Sequence, residues 1–229
     1  MAMRSLAVIP ARGGSRRIPY KNIRPFFDKP VIDYTIEAAK TTGLFERMIV
    51  STDDNRIGGH VSKLGCIYYK RPAELALDHV PMVDVVIDVL RAEGSAGLQY
   101  DYVCMLYACS PFIKSESIVE GYKLLGKGFD VACPVFRGPH LERALLRRGD
   151  RMLSRFPEYD EERSNMWPDS YYHAGQFFWA RRTTLLVHHT FMQENMAGVI
   201  IPEPEAVDID EPEDWGLAEF KYQMLRGKA

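Results

Sequence analysis

The stretch Ser5-Leu6-Ala7-Val8-Ile9-Pro10-Ala11-Arg12-Gly13-Gly14-Ser15-Arg16-Arg17-Ile18-Pro19-Tyr20-Lys21-Asn22 decides the fold, because an apolar run passes straight into a basic, glycine-bearing loop. Ser5 to Ile9 is the short continuous apolar segment expected of a strand buried on both faces. Such strands belong to parallel sheets covered by helices, and in open sheets of that kind ligands bind beyond the carboxyl ends of the strands. The loop from Pro10 lies at one of those ends. Gly13 and Gly14 allow backbone N–H groups to turn toward an anion, while Arg12, Arg16, Arg17 and Lys21 supply positive charge. A polyphosphate suits both features; the alternative is a mobile, solvated basic loop. The loop is neither a G-x-x-x-x-G-K-[ST] phosphate loop nor a G-x-G-x-x-G dinucleotide fingerprint, so a nicotinamide cofactor has no support.

Outward from this stretch, strand-type and helix-type segments alternate. Helical spacing of Val31, Ile32, Thr35, Ile36 and Ala39 predicts a helix over residues 30–41, and Arg47-Met48-Ile49-Val50-Ser51 predicts the next strand. A helix started by Asp53 is expected over 53–64, then a strand over 66–70, a helix over 81–93 and a strand at Tyr102-Val103-Cys104-Met105-Leu106. A helix over 115–125 and a strand over 130–135 close the series. This order predicts an α/β fold, with a mostly parallel sheet flanked by helices. The rhythm breaks over 136–172, which is rich in charge and holds Pro139, Pro157 and Pro168 without a clean period. It resumes with a strand at Gly175-Gln176-Phe177-Phe178-Trp179 and a last helix over 211–225.

The totals set bounds. A chain of 229 residues suffices for one sizeable domain with a small excursion. The formal net charge of −2 offers no global attraction for nucleic acid. No apolar run approaches the ~20 residues a membrane span requires, and no signal peptide precedes the first strand, which predicts no membrane partner and a cytoplasmic location. Cys66, Cys104, Cys109 and Cys133 stand singly and read as small core residues. His188 and His189 lack zinc-ligand spacing and read as surface or helix-end residues.

Near the other end stands Val207-Asp208-Ile209-Asp210-Glu211-Pro212. If residues 207–210 are extended, Asp208 and Asp210 point the same way. Two carboxylates on one face make a hard oxygen site suited to Mg²⁺ shared with substrate phosphates. The alternative is that Asp210 caps the final helix, and both can hold together. Arg71, at the end of the third strand, is a candidate phosphate or carboxylate partner or a surface ion pair. The Tyr107-Ala108-Cys109-Ser110-Pro111 turn either lines a pocket or merely turns the chain.

Taken together, Ile9-Pro10-Ala11-Arg12-Gly13-Gly14-Ser15 with Lys21-Asn22 resembles the nucleotide-binding signature of the CMP-sialic acid synthetases. Val50-Ser51-Thr52-Asp53-Asp54, Arg71-Pro72-Ala73-Glu74-Leu75-Ala76 and Asp208-Ile209-Asp210 are similar to further blocks of that family, in its order, over nearly the whole chain. Tyr107 and His173-Ala174-Gly175-Gln176-Phe177-Phe178-Trp179 are most similar to the branch that takes pseudaminic acid. The resemblance implies a nucleotidyltransferase fold, CTP and a nonulosonic acid as substrates, Mg²⁺, and a homodimer whose arm is residues 136–172 of an otherwise single domain. It gives Arg12 and Lys21 to the phosphates, Asn22 to cytosine, Arg71 to the nucleotide, and Asp208 and Asp210 to the metal. Ala11, Gly13, Gly14, Ser15, Arg16 and Ser110 complete the implied nucleotide site; Tyr107, Gly175, Gln176 and Phe177 form the implied sugar site. Three departures stand out: Arg16 where lysine is common, Met82 for a hydroxyl residue, and Ala108-Cys109-Ser110 for a proline-threonine turn. A CTP-binding sensor without turnover is the rival from another class. Retention of both carboxylates beside Arg12 and Lys21 argues against it.

Overall fold

The computed structural model describes residues 3–227. Strand β1 (Ser5–Pro10) leads through a short hairpin, β2 (Pro25–Phe26) and β3 (Lys29–Pro30), into helix α1 (Val31–Thr41). Then come β4 (Arg47–Thr52), α2 (Asn55–Lys63), β5 (Ile67–Lys70), α3 (Met82–Ser95), β6 (Tyr102–Leu106) and α4 (Ser115–Gly126). The second half holds β7 (Val131–Arg137), a hairpin of β8 (Leu145–Arg148) and β9 (Arg151–Ser154), and β10 (Tyr171–His173). It ends with β11 (Phe177–Arg181), α5 (Arg182–His188), β12 (Met196–Ile200) and α6 (Pro212–Arg226).

The main sheet has eight strands in the order β10-β7-β11-β6-β1-β4-β5, with β12 added beside β7. β1 lies between β4 and β6 and is parallel to both, while β11 runs antiparallel to β6 and β7. Alternation along β1 sends Ala7 and Ile9 to one face and Leu6 and Val8 to the other, and all four are fully buried. Residues of α1, α2 and α4 cover the first face; residues of α3 and α5 cover the second. Two-sided burial is why the strand reads as an unbroken apolar run. Beneath α4, an added Cβ at Gly121 would lie 2.7 Å from Trp179 Cδ1, so the absent side chain lets the helix backbone rest directly on β11. Trp179 Nε1 donates to Ile118 O of that helix at 2.9 Å, which satisfies its buried N–H.

Two helix starts differ from the sequence reading. α2 is capped by Asp54, whose carboxylate accepts from the N–H groups of Arg56 and Ile57, and Asp53 is left for another task. α6 is capped by Glu211 rather than Asp210. Asp214 reaches back to the N–H groups of Asp210 (2.9 Å) and Glu211 (2.7 Å), so the Asp210 carboxylate is not spent on the helix. Among the histidines, His188 ends α5 and His189 follows as its left-handed cap at φ 52°.

The irregular region leaves the sheet and returns to the same place. β7 runs out to Arg137, and β10 comes back antiparallel on it, pairing Tyr171 with Arg137 and His173 with Val135. Between them lies the β8–β9 hairpin, where Leu145, Leu146, Met152 and Leu153 are all exposed. Trp167 anchors the base, donating to Glu162 at 3.0 Å and packing edge-on against His140.

Candidate active site

At the carboxyl end of the central strands the loops enclose a cavity of ≈ 540 Å³. Its floor is Pro10 and Ala108, at the ends of β1 and β6. The basic loop is tied down before it reaches any ligand: Gly13 N donates to Asp53 Oδ1 at 2.8 Å, and Asn22 Nδ2 donates to Arg12 O at 3.0 Å. Gly13 has to be glycine, because a Cβ there would sit 2.6 Å from that of Asp54. Tyr20, left-handed at φ 54°, turns the chain into the short 3-10 turn Lys21–Ile23. Lys21 Nζ then donates to Ile209 O at 2.6 Å and stands 3.3 Å from Asp210 Oδ1, joining the loop to the far end of the chain.

Residues 207–210 form no regular strand, yet their alternation is that of extended backbone. Val207 and Ile209 are buried in an aromatic cluster with Phe26 and Trp215, and Asp208 and Asp210 line the cavity instead. Gly175, left-handed at φ 64°, lets Asp208 approach: a Cβ there would lie 3.3 Å from Asp208 Cγ. Burial raises the Asp208 pKa above the ordinary aspartate value, and the Asp210 charge adds to the rise. No hydrogen bond from the described residues offsets it.

This arrangement has a consequence for stability. A carboxyl whose folded pKa is raised binds its proton more tightly in the native state, so the protein loses stability as pH rises from the ordinary aspartate value through the raised one. At neutral pH the cost is fully present. Asp208→Asn is therefore expected to raise the melting temperature of the metal-free protein at pH 7, with the gain shrinking toward pH ~4. Thermal melts of both proteins across that range check it; a lower midpoint for the variant at pH 7 would refute it.

Arg71 forms the opposite wall. Only 5% exposed, it donates from Nη2 to Ser51 O at 2.7 Å and from Nε to Ser51 Oγ at 3.2 Å. Burial pulls its pKa down to about 10; Asp53 opposes that pull and Arg12 adds to it. It is a desolvated cation without a direct anionic partner, the state that an incoming phosphate or carboxylate relieves. Tyr107 lies between the two sides, its hydroxyl pushed up to about 12 by burial and then by Asp208 and Asp210. Cys109 is likewise pushed up to about 12 by burial, which makes it an apolar wall rather than a nucleophile.

The cavity thus brings together Arg12, Lys21, Asn22, Arg71, Tyr107, Asp208 and Asp210. Ala11 is buried at the base of the loop, and Gly13, Gly14, Ser15 and Arg16 lie in the adjoining loop outside the lining. Three expected contacts are corrected. Ser110 is buried and its hydroxyl donates to Gly175 O at 3.0 Å, so it braces the turn rather than a nucleotide. Gln176 is buried with its amide donating to Glu205 O at 2.9 Å, and its own carbonyl accepts from Tyr107 N at 2.9 Å. Phe177 is fully buried beside Trp179 on the α4 face, because alternation along β11 turns it into the core. Ser110 holds Gly175 and Gln176 holds Tyr107, and of the four implied sugar-site residues only Tyr107 lines the cavity.

Sequence reasoning gave Asp53 to a helix start rather than to Gly13 N, and it missed the wall formed by Leu77, Asp78 and His79 beside Met82. No periodicity or motif marks that wall. The cations also have acidic partners: Arg17 pairs with Glu211 at 2.6 Å and Asp210 at 3.2 Å, and Asp78 pairs with Arg12 and with Arg16, the latter at 2.9 Å.

Anchored cations facing a carboxylate pair across one cavity, on a sheet of this topology, define a nucleotidyltransferase. The same fold occurs in the solved structure of a CMP:2-keto-3-deoxy-manno-octonic acid synthetase complexed with CTP, with a TM-score of 0.70, 19% identity and coverage of 98% of this chain and 99% of that one. Residues 6–131 match the family model described as Cytidylyltransferase. A pseudaminic acid cytidylyltransferase of Campylobacter jejuni is 30% identical over 227 residues, covering 97% of each chain. A CMP-N,N'-diacetyllegionaminic acid synthase of Legionella pneumophila is 33% identical over 227 residues, again with 97% of each covered. The chain belongs to the cytidylyltransferase family, enzymes that use CTP as nucleotidyl donor.

Proposed function

We propose that this enzyme joins CTP to a nonulosonic acid, pseudaminic acid first among them, giving the CMP-sugar and pyrophosphate. The observation that carries the reading is the single cavity shared by the cations Arg12, Lys21 and Arg71 and the carboxylates Asp208 and Asp210, with Lys21 held beside Asp210. The sugar's anomeric hydroxyl gives up its proton to solvent and attacks the α-phosphorus in line; the new C–O–P link forms as the bond to the β-phosphate breaks and pyrophosphate leaves. Arg12 and Lys21 stabilise charge on the phosphates, and the anchored loop orients them. Asn22, fixed by its bond to Arg12 O, stands where it can meet the base.

Two carboxylate groups with one charge left unneutralised fit a hard divalent cation such as Mg²⁺. Among the described residues no group of three or more His, Cys, Asp and Glu side chains could hold a metal, so phosphate oxygens and water would complete the shell around Asp208 and Asp210. Bound there, the ion would offset charge on the α-phosphate and the leaving pyrophosphate.

Tyr107, the Ala174-Gly175-Gln176 turn and the pseudaminic acid relative support that acceptor. The 33% identity to the diacetyllegionaminic acid synthase favours legionaminic acid as the second reading. A pyrophosphate-release screen tests both: CTP, UTP, ATP and GTP against pseudaminic, N-acetylneuraminic, legionaminic and 3-deoxy-manno-octulosonic acids. Highest kcat/KM is expected for CTP with pseudaminic acid; preference for another nucleotide overturns the reading. A homodimer is part of this proposal, with the exposed leucines and Met152 of β8 and β9 as the arm's contact surface. Among the described residues no helix is long and apolar enough to cross a membrane, and a cytoplasmic setting, where CTP is made, accords with the proposed reaction.

A further inference from the structure

Asp78 lies between the 3-10 turn Ala73–Ala76 and α3, in a segment outside helix and strand. Its two carboxylate oxygens hold two different guanidinium groups. Oδ1 meets Arg12 Nη1, and Oδ2 meets Arg16 Nε at 2.9 Å. One oxygen to each of two arginines is the pattern a bridging phosphate makes with the same donors. Asp78 also lines the cavity, so it stands in the space the proposed triphosphate needs. Its carboxylate accepts a hydrogen bond from Arg12 alone among the described residues, the Arg16 contact being an ion pair, and its side chain is 40% exposed. Among the described residues the two arginines are the carboxylate's only ion-pair partners, and its backbone lies in the turn closed by Val80 N donating to Leu77 O at 3.2 Å.

We propose that Asp78 is an internal counter-ion, occupying the phosphate-binding arginines of the empty enzyme and displaced when a polyphosphate arrives. The inference rests on the reading of the basic loop as the phosphate site. Sharing is disfavoured by charge, because a carboxylate and a triphosphate on one pair of guanidiniums repel each other at close range. Displacement is easy by structure, because both ion pairs are partly solvated and the segment carries no ladder or helix bonds. The device works in both directions. Asp78 keeps Arg12 and Arg16 ordered without a ligand, and its return to them helps pyrophosphate leave after the reaction.

The test is calorimetric titration of wild type, Asp78→Asn and Asp78→Glu with pyrophosphate, CTP and cytidine. Removing the competing charge is expected to lower the Kd for pyrophosphate and for CTP by about threefold to tenfold in the Asn variant. Affinity for cytidine, which has no phosphate, stays unchanged. The gain shrinks at ~0.5 M salt, where exposed charges are screened. Asp78→Glu keeps the charge and stays near wild type. Pyrophosphate binding that is unchanged or weaker in Asp78→Asn would overturn the proposal while leaving the phosphate site standing. A wild-type protein that binds neither CTP nor pyrophosphate would overturn the phosphate reading and this inference with it.

Discussion

Alanine in place of Asp208 or Asp210 is expected to lower turnover by about 10² or more at saturating Mg²⁺, because each supplies one of the two adjacent carboxylates proposed to hold the cation. The two changes differ in their side effects. Asp208 makes no hydrogen bond to the described residues, so its removal leaves the surroundings intact. Asp210 also balances Lys21 at 3.3 Å and Arg17 at 3.2 Å, so its loss removes a neutralising charge from two cations that Ile209 O and Glu211 still hold in place. Asp210→Ala should therefore bind CTP with less penalty than Asp208→Ala, while both fail in turnover. Steady-state rates over a Mg²⁺ titration, with CTP binding measured separately, check this. Near-normal Mg²⁺-dependent turnover in both variants would remove the carboxylates from the chemistry.

Arg71→Met is expected to weaken CTP binding by about 10- to 100-fold, the worth of one or two charge-assisted hydrogen bonds in a dry wall. Folding should change little. Ser51 O, one of the two acceptors Arg71 uses, also accepts from Ala11 N at 2.9 Å, so the substitution does not orphan that buried carbonyl. The cost of holding a desolvated guanidinium, visible in its pKa of about 10, disappears as well. Calorimetry with CTP beside a thermal melt separates the two effects. A large fall in midpoint with unchanged affinity would recast Arg71 as a purely structural residue.

Much of the fold could be read from the chain because its central strands carry local signals. β1, β4 and β6 are buried on both sides, and their apolar runs end where the strands end. The antiparallel course of β11 could not be read, since strand direction depends on a partner distant in sequence. β12 escaped notice because exposed Gly198 and Ile200 interrupt its pattern at the sheet's edge. In the site, the loop cations and the alternating aspartates were legible, as each depends on a short segment. Ser110, Gln176 and Phe177 were assigned through the family resemblance, which does not say which way each side chain turns. Period-two alternation at Phe177, Phe178 and Trp179 could have warned that Phe177 shares the buried face of Trp179. Asp78 carried no signal, because its role arises only where two loops meet.

The bond from Lys21 to Ile209 spans 188 positions of sequence. Translation delivers the basic loop well before its acidic counterpart. A polypeptide released before Asp208 would carry the cations and most of the sheet, but not the acid half of the cavity. Both halves of the cavity are therefore present only in chains extended past Asp210, and binding of a ligand that needs both also reports how many chains were carried that far.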